Sequence, residues 1–229
     1  MAARQRKPRV LLAFTGSVAC VKAELLVAAL AAFAEVRCMA TPAALRFLAP
    51  DGCAPERLHG ALLATEATEW AAWRAVGDPV VHIALRRWAD LLLVAPLSAN
   101  SLAKLAGGLC DNLVTCVARA WDFQAGRPLL VAPAMNTAMW AHPLTARHLA
   151  VLAELGVCVV PPIAKRLACG DVGMGALAAV ETLAAEVQRA LERSPRWGWE
   201  AEGADDGAAA AAELDQLQSA ERGPVAGAE

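Results

Sequence analysis

The chain has 229 residues, a formal net charge of −2, seven cysteines and four histidines. That length holds one domain with a full core, and the near-neutral charge gives no electrostatic case for nucleic acid. No apolar run reaches the roughly 18–20 residues of a membrane span, and neither the odd cysteine count nor the spacings of Cys and His suggest a disulfide framework or a metal site, so reduced thiols in the cytoplasm are expected.

Residues 10–14 read as a first strand, closed by the turn Thr15-Gly16-Ser17, with Ser17 capping a helix over 18–32. Residues 35–40 form a second strand that ends at Thr41-Pro42, followed by a short helix over 43–48. Residues 49–79 are irregular, with helical character over 66–74. A third strand over 91–95 is stopped by Pro96, and helices follow over 99–107 and 112–120. The fourth strand precedes Pro133, a helix spans 145–155, and a fifth strand spans 157–160. Residues 161–175 read as a long loop before a final helix over 182–193.

Strands alternating with helices predict βαβ units and a mainly parallel sheet. The expected fold is α/β, a doubly wound three-layer domain of flavodoxin/Rossmann-like type. It occupies residues 9–193, after a flexible N-terminus over 1–8. Residues 194–229 turn rich in Ala, Glu, Asp and Gly and read as a disordered low-complexity tail, with transient helix over 208–217.

Each strand ends in a small or turn-forming cluster, and ligands of open α/β sheets bind beyond those ends. Thr15-Gly16-Ser17 suits a phosphate at a helix N-terminus, and equally a simple capped turn. No Gly-x-Gly-x-x-Gly run is present, and Thr41, not an acid, ends the second strand, which favours a mononucleotide such as FMN over NAD. Pro96-Leu97-Ser98-Ala99-Asn100-Ser101 offers three small polar side chains, of which capping explains one.

His82 lies between apolar residues and reads either as a core histidine or as an acid–base group. Cys169 sits in a Gly-rich loop, where it is either incidental or a proton donor beneath a mobile flap bearing Gly170, Gly173 and Gly175. Asn136, in Pro133-Ala134-Met135-Asn136-Thr137-Ala138-Met139-Trp140, is either a strand-end cap or a neutral clamp for a carboxylate. The second role suits decarboxylation, because an arginine there would stabilise the ground state.

Three segments occurring in this order carry a resemblance: Val81-His82-Ile83 through Asp90, the octapeptide around Asn136, and Lys165-Arg166-Leu167-Ala168-Cys169-Gly170-Asp171. Together they resemble the homo-oligomeric flavin-containing cysteine decarboxylases over roughly residues 8–191. The resemblance implies bound FMN, a homotrimer with sites at subunit boundaries, and conversion of 4'-phosphopantothenoylcysteine to 4'-phosphopantetheine in coenzyme A biosynthesis. It implies oxidation of the cysteinyl thiol to a thioaldehyde, loss of the carboxylate, and reduction of the resulting enethiol. His82 would be the base, Asn136 the carboxylate holder and Cys169 the proton donor during reduction. Gly16, Ser17, Val18, Thr41, Ser98, Ala99, Asn100, Ser101 and Ala134 would contact the flavin. Arg166, Ala168 and Leu177 would join Asn136 against the substrate.

Pro42, Ala43, Leu177 and Ala179 depart from common family residues, and none of them is His82, Asn136 or Cys169. Two alternatives stand beside this expectation. One is a non-catalytic regulatory subunit of a phosphatase, favoured by the partly acidic tail and opposed by the retained His82, Asn136 and Cys169. The other is a flavin-dependent decarboxylase of a different cysteine-terminated substrate.

Overall fold

The computed structural model describes residues 6–49, 55–166, 170, 172–194 and 206–221. One sheet contains β1 (Arg9–Phe14), β2 (Glu35–Ala40), β3 (Arg57–Leu58), β4 (Ala61–Ala64), β5 (Leu91–Leu97), β6 (Leu129–Pro133) and β7 (Cys158–Val159). Its order is β3-β4-β2-β1-β5-β6-β7. Pairings are parallel except between β3 and β4. β1 and β5 are buried along their whole lengths. Continuous apolar runs such as these form where helices cover both faces of a sheet.

One face carries α1 (Ala23–Ala31) and α9 (Val180–Arg193). Leu26, Val27, Leu30, Leu183, Val187 and Leu191 join Val10, Leu12 and Phe14 in one core cluster. Four-residue spacing puts the three α9 side chains on a single stripe. The other face carries α4 (Val81–Trp88), α6 (Leu113–Arg119) and α8 (Pro143–Glu154). There Leu85, Trp88, Val114, Val117 and Leu152 pack with Leu11, Ala13, Leu92 and Val94. The architecture is the expected three-layer α/β sandwich.

Several elements differ from the sequence reading. The helix expected over 18–32 is a 3-10 turn over Val18–Lys22 followed by α1. Strand β5 runs through Pro96 to Leu97, because the ladder shifts register between Val94 and Leu97 and so accommodates a residue without an N–H. The stretch 49–79 contains β3, β4 and α3 (Glu66–Ala72).

The loop expected over 161–175 includes a hairpin of β8 (Ile163–Arg166) and β9 (Val172–Ala176). In the tail, the transient helix expected over 208–217 falls within the longer α10 (Asp206–Glu221), with Ala210 and Leu214 buried beside α4. Three short helices complete the strand-exit edge: α2 (Pro42–Leu48), α5 (Ala99–Gly107) and α7 (Thr137–Ala141). No described helix is long and apolar enough to cross a membrane.

Candidate active site

The chain leaves β1 toward β2 on one side, and β5 pairs with β1 on the other. The crevice at that reversal is where doubly wound sheets bind ligands. Thr15 ties its two walls together. Its backbone N–H and Oγ1 both donate to Pro96 O, at 3.2 and 2.8 Å, while Oγ1 accepts the Ser98 N–H at 2.7 Å.

Three side-chain oxygens cap helical segments around this crevice. Ser17 Oγ accepts from Ala19 N, Thr41 Oγ1 from Ala44 N, and Ser98 Oγ from Ser101 N. Pro42 follows Thr41 at the first helical position, where a missing N–H does no harm. Gly16 is required by packing, since a Cβ there would lie 2.7 Å from the Ala43 Cβ. The backbone at this glycine thus approaches α2 closely.

Beyond β6, Ala134 is buried and its N–H donates to Leu97 O at 3.0 Å. Asn136 is half-buried and caps α7, its Oδ1 accepting the Ala138 N–H at 2.7 Å. That contact orients the amide so that its donor end is Nδ2. The hairpin lies against this turn. Met135 N–H donates to Gly175 O at 2.9 Å, and a Cβ on Gly175 would come 2.2 Å from Met135 O. A Cβ on Gly173 would meet Thr137 Cγ2 at 2.8 Å. Thr137 Oγ1 is buried there without a hydrogen-bond partner among the described residues.

His82 occupies the first turn of α4. Asp90 N–H donates to Arg9 O at the start of β1, so α4 ends at the strand-entry edge and begins toward the exit edge. Glu69 of α3 reaches His82 twice through Oε1, 3.2 Å from its N–H and 2.5 Å from Nδ1. At the other end, Arg127 Nη1 donates to the carbonyls of Arg86, Arg87 and Ala89, at 2.6, 3.2 and 2.9 Å. A cation there also complements the helix dipole.

The structure thus gathers Gly16, Ser17, Thr41, Ser98, Ala99, Ser101 and Ala134 on one edge, with exposed Val18 and Asn100 at its rim. Arg166 ends the first hairpin strand, exposed. Ala168 and Cys169 lie outside the described residues. Leu177, named for substrate contact, is 2 % exposed and sits in the core cluster beneath α9, so its side chain packs inward.

The sequence placed Thr15 in the first turn without its bonds to Pro96 and Ser98, and it gave no role to Glu69. Glu69 carries no local signal, being one acid on a helix 13 residues from its partner. Burial pushes the Cys20 thiol up to about 11 and the Cys38 thiol higher still, which makes both inert packing groups.

The donor set fits a flavin mononucleotide: hydroxyls and helix N–H groups suit a phosphate and a ribityl chain. Thr41, at the end of β2, lacks the carboxylate that a dinucleotide's ribose diol would require.

Comparison with known proteins agrees. The Flavoprotein family model matches residues 2–192. The chain is 52% identical over 189 residues to phosphopantothenoylcysteine decarboxylase of Oryza sativa subsp. japonica, covering 82% of this chain and 83% of the relative. Its fold is similar to that of a Cys-to-Ser mutant of PPC decarboxylase complexed with pantothenoylaminoethenethiol. That match has a TM-score of 0.76 and 52% identity, over 82% of this chain and 100% of that one. It is also similar to the FMN binding protein AtHal3, with a TM-score of 0.71 and 53% identity, over 80% of this chain and 96% of that one.

Proposed function

The chain belongs to the flavoprotein family that includes the phosphopantothenoylcysteine decarboxylases, and on that footing we propose that it converts 4'-phosphopantothenoylcysteine to 4'-phosphopantetheine with FMN, in coenzyme A biosynthesis. The observation that carries this reading is the oriented amide of Asn136 at the exit of β6, beside the docked hairpin. Bound FMN supplies a two-electron acceptor that later returns its electrons. Gly16, Ser17, Val18, Thr41, Ser98, Ala99, Asn100, Ser101 and Ala134 would hold it along the strand-exit edge.

His82 takes the proton released as the cysteinyl thiol is oxidised to a thioaldehyde. Asn136 holds the carboxylate through neutral N–H donors, fixing its orientation with little ground-state stabilisation, so that carbon dioxide can leave. The Cys169 thiol gives up a proton as the enethiol is reduced. Arg166 and Ala168 contact the substrate, and Leu177 supports the hairpin's exit from below.

A homotrimer is part of this reading. It is supported by exposed Trp70, Trp73, Val76 and Val80, which flank Glu69 and His82 in sequence and form an unusually apolar stretch for a solvent-facing surface. Size-exclusion chromatography with light scattering should return three times the chain mass; a monomer would remove this element.

The test of the activity is spectral and chemical. Purified protein should be yellow with one flavin per chain, and should yield a product one carbon dioxide lighter than 4'-phosphopantothenoylcysteine. A flavin-free protein without turnover would overturn the assignment.

A further inference from the structure

We propose that Glu69 is a positioning residue that selects the working tautomer of His82, an inference that rests on His82 acting as the base. Val80, the N-cap of α4, makes no side-chain capping bond, and Glu69 Oε1 meets the His82 N–H at that helix start. The same oxygen lies 2.5 Å from Nδ1. The Glu69 side chain is 12% exposed and that of His82 28%.

A carboxylate is an acceptor only, so the proton of a neutral imidazole in this contact resides on Nδ1. The lone pair is then left on Nε2, the nitrogen farther from Glu69, where a base must present it. Bonding the backbone and ring of one residue to one oxygen fixes the ring plane as well as the tautomer. Glu69 is itself held: α3 opens with a reciprocal capping box between Thr65 and Thr68. This is a carboxylate–imidazole pair in which the acid orients and the imidazole does the chemistry.

A bare helix cap would explain the backbone bond alone, so the test reads the ring. In FMN-loaded protein labelled with 15N at its four histidines, the His82 signals, identified by their loss in His82→Asn, should show the Nδ1–H form. A dominant Nε2–H form in the wild-type protein would overturn the proposal without any variant at Glu69.

Glu69→Gln can donate to Nδ1 through its amide and should shift His82 toward Nε2–H. Its kcat should fall at least about 10-fold, while KM, flavin content and Tm hold near wild type. Unchanged kcat, or a fall in kcat matched by loss of flavin and Tm, would reduce Glu69 to a structural role. His82→Asn separates the two levels. If that variant turns over normally, the base assignment fails. If it is inactive while Glu69→Gln is normal, only the positioning inference fails.

Discussion

Asn136 answers two demands with one side chain. Its Oδ1 holds the first turn of α7, and in the proposed reaction its amide nitrogen would supply the donors that a carboxylate needs. Aspartate caps a helix as well as asparagine does but offers no N–H and adds a negative charge. Asn136→Asp should therefore keep its fold and flavin while kcat/KM falls at least about 100-fold, read by steady-state decarboxylation. The thiols divide by burial. Iodoacetamide at pH 8 should label Cys110 and Cys158 in the folded protein and spare Cys20 and Cys38, with mass spectrometry as the readout. The cap made by Asn136 was legible as a polar side chain at a strand exit, and His82 stood out among apolar neighbours. Glu69 was not, since its meaning comes from a tertiary contact across 13 residues.

Helix α4 is held at both ends by side chains from other elements, Glu69 at its start and Arg127 at its finish. Its register is therefore set by tertiary contacts more than by its own eight residues. The hairpin is held differently, through backbone that only glycine permits. Gly175 has φ +134 and no room for a Cβ against Met135 O. Gly175→Ala should cost roughly 3 kcal/mol, or about 6–12 °C in Tm by calorimetry, and should weaken turnover by lifting β9 from the octapeptide. The central strands were legible as apolar runs between turn residues. The hairpin was not: Lys165, Arg166 and three glycines show no alternation, and what holds β9 is its fit to residues 135–137.

At the scale of the whole molecule, the tail helix α10 belongs to the packed core. Leu214 and Ala210 are buried, and Asp215 pairs at 2.7 Å with Arg37, whose guanidinium lies 5.0 Å over the Trp88 ring. Burial pulls the Arg37 guanidinium below its ordinary value, and Asp215 opposes that shift. Removing residues 194–229 should cost about 2–4 kcal/mol, a Tm fall of roughly 5–15 °C, with decarboxylation retained. Equal Tm values would show that the tail adds nothing to stability. The helix expected over 208–217 lies within α10, but its packing was not legible, because runs of alanine read as low complexity and their partners, Arg37 and α4, are distant in sequence.

The doubly wound order itself was legible from strand–helix alternation, and it has a temporal consequence. The Thr15 stitch joins positions 81 and 83 residues apart. On a ribosome, β1 emerges early and waits with one edge unpaired until β5 has been made. The crevice cannot close around a cofactor before that moment, so flavin capture must wait until the chain has passed residue 98. A nascent chain stalled before residue 98 should bind no FMN, however well its first helix is capped.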